Sequence, residues 1–241
     1  MTKIRVLING ASGKMGQEAV KAVESEIDLV LVGALNRQHK LADEIKRSQA
    51  QVVLDLTSNE VVYKNAQTII EHHVHPVIGT SGLLPEQIAL LQQQCKQKKL
   101  GGIIAPNFSI GAVLMMSFVK QAAAFFDHAE IIELHHPQKK DAPSGTAMKT
   151  AELMNLKKPT LTDSVETLAG ARGAEHRHVR IHSVRLPGLL AHQEVLLSGE
   201  HELLTIRHDS FSRASFMPGV ILSIRKVMGL SELVYGLENI M

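Results

Sequence analysis

The chain has 241 residues, with 26 Lys and Arg against 24 Asp and Glu for a formal net charge of +2 when its 13 histidines are neutral; it therefore offers no broad basic field for nucleic acid or an anionic membrane. With 44% hydrophobic and 21% charged residues it has a globular rather than a disordered composition, and its length fits two small domains. Aromatics at 3% with no Trp leave no stacking platform for single-stranded nucleic acid, no apolar run approaches the ~20 residues of a membrane span, and one cysteine, Cys95, excludes an internal disulfide framework.

The opening stretch, MTKIRVLINGASG, lacks the basic-then-apolar pattern of a leader, so a cytoplasmic location is expected, in keeping with the single cysteine. IRVLI, residues 4–8, is a short β-branched-rich run ended by NGASGKMG, after which QEAVKAVESE has helical apolar spacing. LVLVGAL, VVLDLT, VIGTSG and GGIIAPN read as four further buried strands, with helices over about 41–47, 61–73 and 85–98 between them. Strands alternating with helices call for a parallel sheet covered on both faces, a Rossmann-like half. Cys95 falls in a helical stretch and is read as structural.

Past residue 108 the pattern changes. A long apolar helix over 109–126 precedes the strand AEIIELHH, a helix begins near Ser144, and HVRIHSV, QEVLLSG and ELLTIRH follow as strands of a mixed or antiparallel sheet. PGVILSIRKVMG then returns as a helix. The expected organisation is α/β: a dinucleotide-binding domain from 1–106 and 216–241, and an α+β substrate and oligomerisation domain over 107–215.

Gly10, Gly13 and Gly16 let the chain turn tightly, let backbone N–H groups reach a pyrophosphate, and let the helix pack on the strand. About 20 residues on, where an acid commonly takes the ribose hydroxyls of NAD, the chain has Asn36 and Arg37. A guanidinium there suits a 2′-phosphate, so NADPH is favoured with NADH left open; the alternative is an Arg that merely snorkels at a strand end. The loops GTSG and APNF close the fourth and fifth strands at their carboxyl ends, where open α/β sheets hold ligands.

ELHHPQKKDAPSGTAM, residues 133–148, sets imidazoles and ammonium groups ahead of a helix start. Imidazole, with a reference pKa of ~6.5, can protonate the electron density left by hydride addition, and a lysine with a helix N-terminus can hold carboxylates. Pro143 is read into the first turn of that helix. His72, His73 and His75 are read as a helix end before Pro76 rather than a metal cluster. His176, His178 and His182 alternate as strand-face or interface residues, with no carboxylate or thiolate set beside them in sequence, so no metal is expected.

Through GASGKMG, GTSG, APNFSIG, ELHHPQKKDAPSGTA and SRASFMPG the whole chain resembles the dihydrodipicolinate reductases, also called 4-hydroxy-tetrahydrodipicolinate reductases, of bacterial diaminopimelate and lysine biosynthesis. The resemblance implies reduction of a cyclic dicarboxylate by NADPH or NADH, two domains closing about a hinge, and a homotetramer. It also implies His135 as proton donor and Lys139 as its charge-stabilising partner. Substrate would be held by His136, Ser144, Gly145 and Thr146. The coenzyme would lie against Gly10, Ala11, Ser12, Gly13, Lys14 and Met15, with Gly79, Thr80, Ser81, Ala105, Pro106, Asn107 and Phe108, and Arg37 at the adenosine phosphate. A semialdehyde or homoserine dehydrogenase would share the first hundred residues but not the second domain, and a nucleotide sensor would have no use for His135, Lys139 and Ser-Gly-Thr together.

Overall fold

The structure is a computed structural model describing residues 3–159 and 162–241. It divides into two compact units, one formed by the chain up to Ile110 together with Arg213–Met241, the other by Gly111–Ser212.

In the first unit β1 (Ile4–Asn9), β2 (Leu29–Leu35), β3 (Val52–Asp55), β4 (His75–Ile78), β5 (Gly102–Ile104) and β11 (Leu233–Tyr235) form one sheet in the order β11-β5-β4-β3-β1-β2. Every pairing in it is parallel. Strands buried on both faces need continuous apolar sequence, and Val6, Leu7, Ile8, Val52, Val53 and Leu54 are fully buried. The helices α1 (Lys14–Ser25), α2 (Leu41–Ser48), α3 (Val62–Glu71), α4 (Pro85–Lys98) and α7 (Met217–Val227) connect or return to this sheet. Cys95 is buried in the core beside Ile69, Ile70 and Leu91, as a structural residue should be. Strand order reverses at β1, between β2 and β3, which places a topological switch point at the β1–α1 turn.

The second unit holds α5 (Ile110–Ala122, its first residue assigned to the first unit), β6 (His128–His135), α6 (Gly145–Met154), β7 (Ala174–His176), β8 (Val179–Arg185), β9 (Ala191–Ser198) and β10 (Leu203–Ser210), with strand order β10-β9-β6-β8-β7. The sheet is mixed, because β6 and β8 pair in parallel and the other neighbours are antiparallel. Period-2 alternation sends Ala129 and Ile131 of β6 into one core with Val179, Ile181, Val195 and Leu197, roofed by Met115 and Val119 of α5 and Ala147, Ala151 and Met154 of α6.

Three details differ from the expectations. The units meet at 110/111 and 212/213 rather than at 106/107 and 215/216. Phe108 is buried in the first unit, where a Cβ on Gly219 would lie 2.0 Å from its carbonyl oxygen, so the chain up to it stays with that unit. Pro143 stands outside α6: Ser144 is the N-cap, its oxygen accepting from the Ala147 N–H, and Pro143 precedes it. The short strands β7 and β11 have too few apolar residues to stand out in sequence, and they form only as edges of sheets already built.

Candidate active site

The glycine turn lies between β1 and α1. Gly10 has φ +89°, and a Cβ there would come within 2.5 Å of the Leu56 oxygen; on Gly16 it would come within 2.2 Å of the Gly10 oxygen. The tight turn therefore depends on both glycines. Gly13 is the N-cap of α1, with no side chain bonded over the helix end and no acid in its first turn. That leaves N–H groups and the positive end of the helix dipole for an anion. A cavity of about 400 Å³ beside the turn is lined by Ala11, Ser12, Gln17, Val20, Lys21 and Asn36 among others. A second, of about 370 Å³, is bounded by Met15, residues 56–59 and residues 79–82, so Gly79, Thr80 and Ser81 line it with the turn. Ser12, Gly13 and Lys14 are exposed in the turn.

Arg37 is exposed in the turn after β2, where the Asn36 side chain accepts from the Gln38 N–H at 3.0 Å and meets the His39 ring at 3.0 Å. Ala105 is buried, Pro106 is exposed, and Asn107 accepts from the Ser109 N–H at 2.8 Å. The Phe108 ring is buried, and a Cβ on Gly79 would meet it at 2.4 Å.

Sequence reasoning missed Asp55, at the end of β3 and fully buried. Its Oδ2 accepts from Asn9 at 3.0 Å and Asn65 at 2.9 Å; its Oδ1 accepts from the Thr57 hydroxyl at 2.7 Å, the Thr57 N–H at 3.2 Å and the Thr80 hydroxyl at 2.8 Å. One carboxylate thereby ties the ends of β1 and β3, helix α3 and the loop after β4. An aspartate closing an otherwise apolar strand was the available signal.

The second group of residues belongs to the other unit. Glu133 and His135, two apart on β6, share a face, and His135 Nδ1 lies 2.5 Å from Glu133 Oε2. Arg185 of β8 donates to both Glu133 oxygens, at 2.8 and 2.7 Å, and the Ser144 N–H donates to Oε1 at 3.2 Å. Burial by itself would raise the Glu133 carboxyl, but hydrogen bonds from His135 and Arg185 outweigh it and hold the group at about 2. Glu133 was visible in the ELHH motif yet had no role in the reading, and Arg185 sits fifty residues away in sequence, joined only by the parallel pairing of β6 with β8.

Lys139 Nζ donates to both oxygens of Asp141, at 2.9 and 3.0 Å; desolvation raises the Asp141 carboxyl, and this ammonium more than compensates, leaving it below the ordinary range. The buried His136 Nδ1 has no hydrogen-bond partner. Ser144 is itself buried, so its oxygen serves the cap, whereas Gly145 is exposed at the open start of α6 and Thr146 is half-buried. His135, His136, Lys139 and the α6 N-terminus thus gather at the carboxyl end of β6.

The remaining histidines form no ligand set: among the described residues no group of three or more His, Cys, Asp and Glu could hold a metal. His182 meets one carboxylate, that of Glu130 on β6, at 2.8 Å across the sheet, and Glu130 also pairs with Arg172. His176 and Val179 flank a two-residue turn whose Arg177 and His178 both have positive φ, and His176 lies 3.5 Å from Glu152.

Comparison with known proteins agrees with this layout. The family model described as "Dihydrodipicolinate reductase, N-terminus" matches residues 4–108, and that described as "Dihydrodipicolinate reductase, C-terminus" matches residues 111–241. The 4-hydroxy-tetrahydrodipicolinate reductase of Legionella pneumophila (strain Lens) is 51% identical over 242 residues, covering 99% of this chain and all of that protein. That of Listeria monocytogenes serotype 4b is 48% identical at the same coverage. The solved structure of dipicolinate-bound dihydrodipicolinate reductase from Paenisporosarcina sp. TG-14 superposes with a TM-score of 0.90 at 46% identity, covering both chains completely. The chain therefore belongs to the dihydrodipicolinate reductase family, the NAD(P)H-dependent oxidoreductases that reduce 4-hydroxy-tetrahydrodipicolinate to tetrahydrodipicolinate on the way to diaminopimelate and lysine.

Proposed function

We propose that His135 is the proton donor of this reduction and that Lys139, His136, Ser144, Gly145 and Thr146 hold the carboxylates of the substrate. The observation that carries this is the meeting of the β6 end with the α6 start on one carboxylate: Glu133 takes both the His135 Nδ1–H and the Ser144 N–H. A titratable imidazole is thereby fixed beside a helix N-terminus that suits an anion. Lys139 already holds a carboxylate in Asp141, and the dipicolinate bound by the Paenisporosarcina relative is itself a dicarboxylate of the kind this end would take.

The unit up to Ile110 with Arg213–Met241 is the coenzyme unit in this reading, and Gly111–Ser212 the substrate and oligomerisation unit. Gly10, Ala11, Ser12, Gly13, Lys14 and Met15 would cradle the pyrophosphate and Arg37 the adenosine phosphate. Gly79, Thr80, Ser81, Ala105, Pro106, Asn107 and Phe108 would line the nicotinamide side. When bound, the nicotinamide supplies the hydride. His135 then supplies the proton, while Lys139 and the α6 N-terminus keep the dicarboxylate in place.

A homotetramer fits the second sheet, whose face away from α5 and α6 carries the half-buried Ile132, Leu134, Val184 and Leu196. A cytoplasmic location fits the single buried cysteine, and no helix among the described residues is long and apolar enough to cross a membrane. The test is steady-state kinetics with freshly generated substrate. His135→Gln should lower kcat by about 10²- to 10⁴-fold while coenzyme binding holds, and Lys139→Ala should also raise the substrate KM. Normal kinetics in both variants would remove the role assignment.

A further inference from the structure

Resting on the reading of His135 as proton donor, we propose that Glu133 and Arg185 are positioning residues: they hold His135 as its Nδ1–H tautomer, so that Nε2 alone exchanges a proton with substrate. The same carboxylate sets the start of α6 relative to that nitrogen.

Glu133 has no exposed surface, so its charge must be compensated within the fold. A carboxylate only accepts hydrogen bonds. The groups around it, His135 Nδ1, the Ser144 N–H, both terminal nitrogens of Arg185 and the Ser183 hydroxyl, are therefore all donors. Nδ1 carries its hydrogen in every state of the ring that keeps this contact, and Nε2 becomes the nitrogen that gains and loses a proton.

Arg185 makes that exchange affordable to the buried carboxylate. If His135 were the only cation beside Glu133, each proton it gave up would leave an unpaired buried charge. The permanent guanidinium removes that penalty, since Glu133 stays paired whether the imidazole is charged or neutral. Arg185 is itself fixed, donating to the backbone carbonyl oxygens of Val184 at 2.7 Å and Asp141 at 2.8 Å. The register supplies the geometry, because His135 pairs with Arg185 and Glu133 with Ser183 across the parallel β6–β8 ladder. In the transfer the Nε2–H bond of the imidazolium breaks and its electron pair stays on nitrogen. The proton bonds to the substrate atom that carries the electron pair after hydride addition, and a proton taken up from solution then restores the Nε2–H.

Glu133→Gln keeps the shape but turns one acceptor into an NH₂ group. With Arg185 still donating to the remaining oxygen, that NH₂ faces Nδ1 and makes it an acceptor, which moves the hydrogen of the neutral ring to Nε2. The experiment is ¹⁵N NMR of the histidine-labelled full-length protein, with the His135 signals assigned from the His135→Gln spectrum, alongside steady-state kinetics. The expected result is an Nδ1–H ring in the parent protein, an Nε2–H ring in Glu133→Gln, and a kcat lowered by about 10- to 100-fold with coenzyme KM unchanged. A parent Nε2–H tautomer, or a Glu133→Gln enzyme with parent kcat, would overturn the proposal even while His135→Gln is impaired. Full activity in His135→Gln would instead overturn the donor reading. Should Glu133→Gln fail to fold, Glu133→Asp keeps the charge and the Arg185 pair but shortens the reach to Nδ1; it should show the same kcat loss, and parent kcat there would equally overturn the proposal.

Discussion

Acid titration of Glu133 gives a stability prediction with a calculable size. Its carboxyl is held at about 2 against an ordinary glutamate value of 4.5, burial opposing and the His135 and Arg185 hydrogen bonds prevailing. Because the folded value is the lower one, ionised Glu133 stabilises the fold at every pH above about 4.5, and the contribution is lost as pH falls through about 2. A depression of about 2.5 at ~1.4 kcal/mol per pH unit is worth about 3 kcal/mol. Glu133→Gln should therefore destabilise the second unit by about 3 kcal/mol at neutral pH, within the range for breaking a buried pair from one side. At pH 2 a protonated glutamate and a glutamine are nearly equivalent in shape and charge, so the difference should shrink towards zero between pH 4.5 and 2. Amide hydrogen exchange at Ile131 and Glu133, in the centre of the second sheet, reads the opening of that unit without requiring the whole chain to unfold in one step. Comparing parent and variant at each pH cancels the titration of every other group. A difference that stays constant from pH 7 to pH 2 would refute the claim that the buried ion pair is its source.

Three further outcomes are expected. Gly10→Ala places a Cβ at φ +89° and 2.5 Å from the Leu56 oxygen, so it should destabilise the first unit by about 1–3 kcal/mol and weaken NADPH binding in a fluorescence titration. Arg37→Ala should raise the KM for NADPH more than that for NADH, because only the former brings a 2′-phosphate; equal losses in the two kinetic series would mean a structural arginine. Cys95, whose thiol burial pushes up to about 12, should resist a thiol reagent at neutral pH and react only after denaturation, with the rate of colour release as the measurement.

The coenzyme unit was legible because its signals are local. β-branched runs, a glycine turn and 3.6-residue apolar spacing each lie within a dozen residues, and the boundaries of β2 and α4 coincide with the sequence reading. In the acid-base site the residues that face the substrate in our reading were legible too, since His135, His136, Lys139 and Ser144–Thr146 fall in one stretch. Their supports were not. Arg185 reaches Glu133 through strand pairing across fifty residues, and Glu130 meets His182 the same way. Asp55 looks like a strand-end acid until Asn9, Asn65, Thr57 and Thr80 are seen to converge on it. Periodicity says which face a side chain takes; only the register of the sheet says which neighbour it meets.

The cations of the 133–148 stretch are consequently less available than their number suggests, and unequally so. His135 and Arg185 are bound to the fully buried Glu133, whose charge Arg185 alone compensates in either state of the imidazole. Lys139 is paired instead with Asp141, whose side chain is 56% exposed, so exchanging that carboxylate for another costs little desolvation. In our reading the fold thus separates two tasks that the sequence lists side by side. A pair anchored on a fully buried carboxylate would fix where a proton leaves, and a pair on an exposed carboxylate beside a helix N-terminus would leave its ammonium open to a change of anion. A net charge of only +2 is compatible with a dicarboxylate substrate on those terms, since what the site requires is donors able to change partners at one end of one sheet, rather than a positive field over the whole protein.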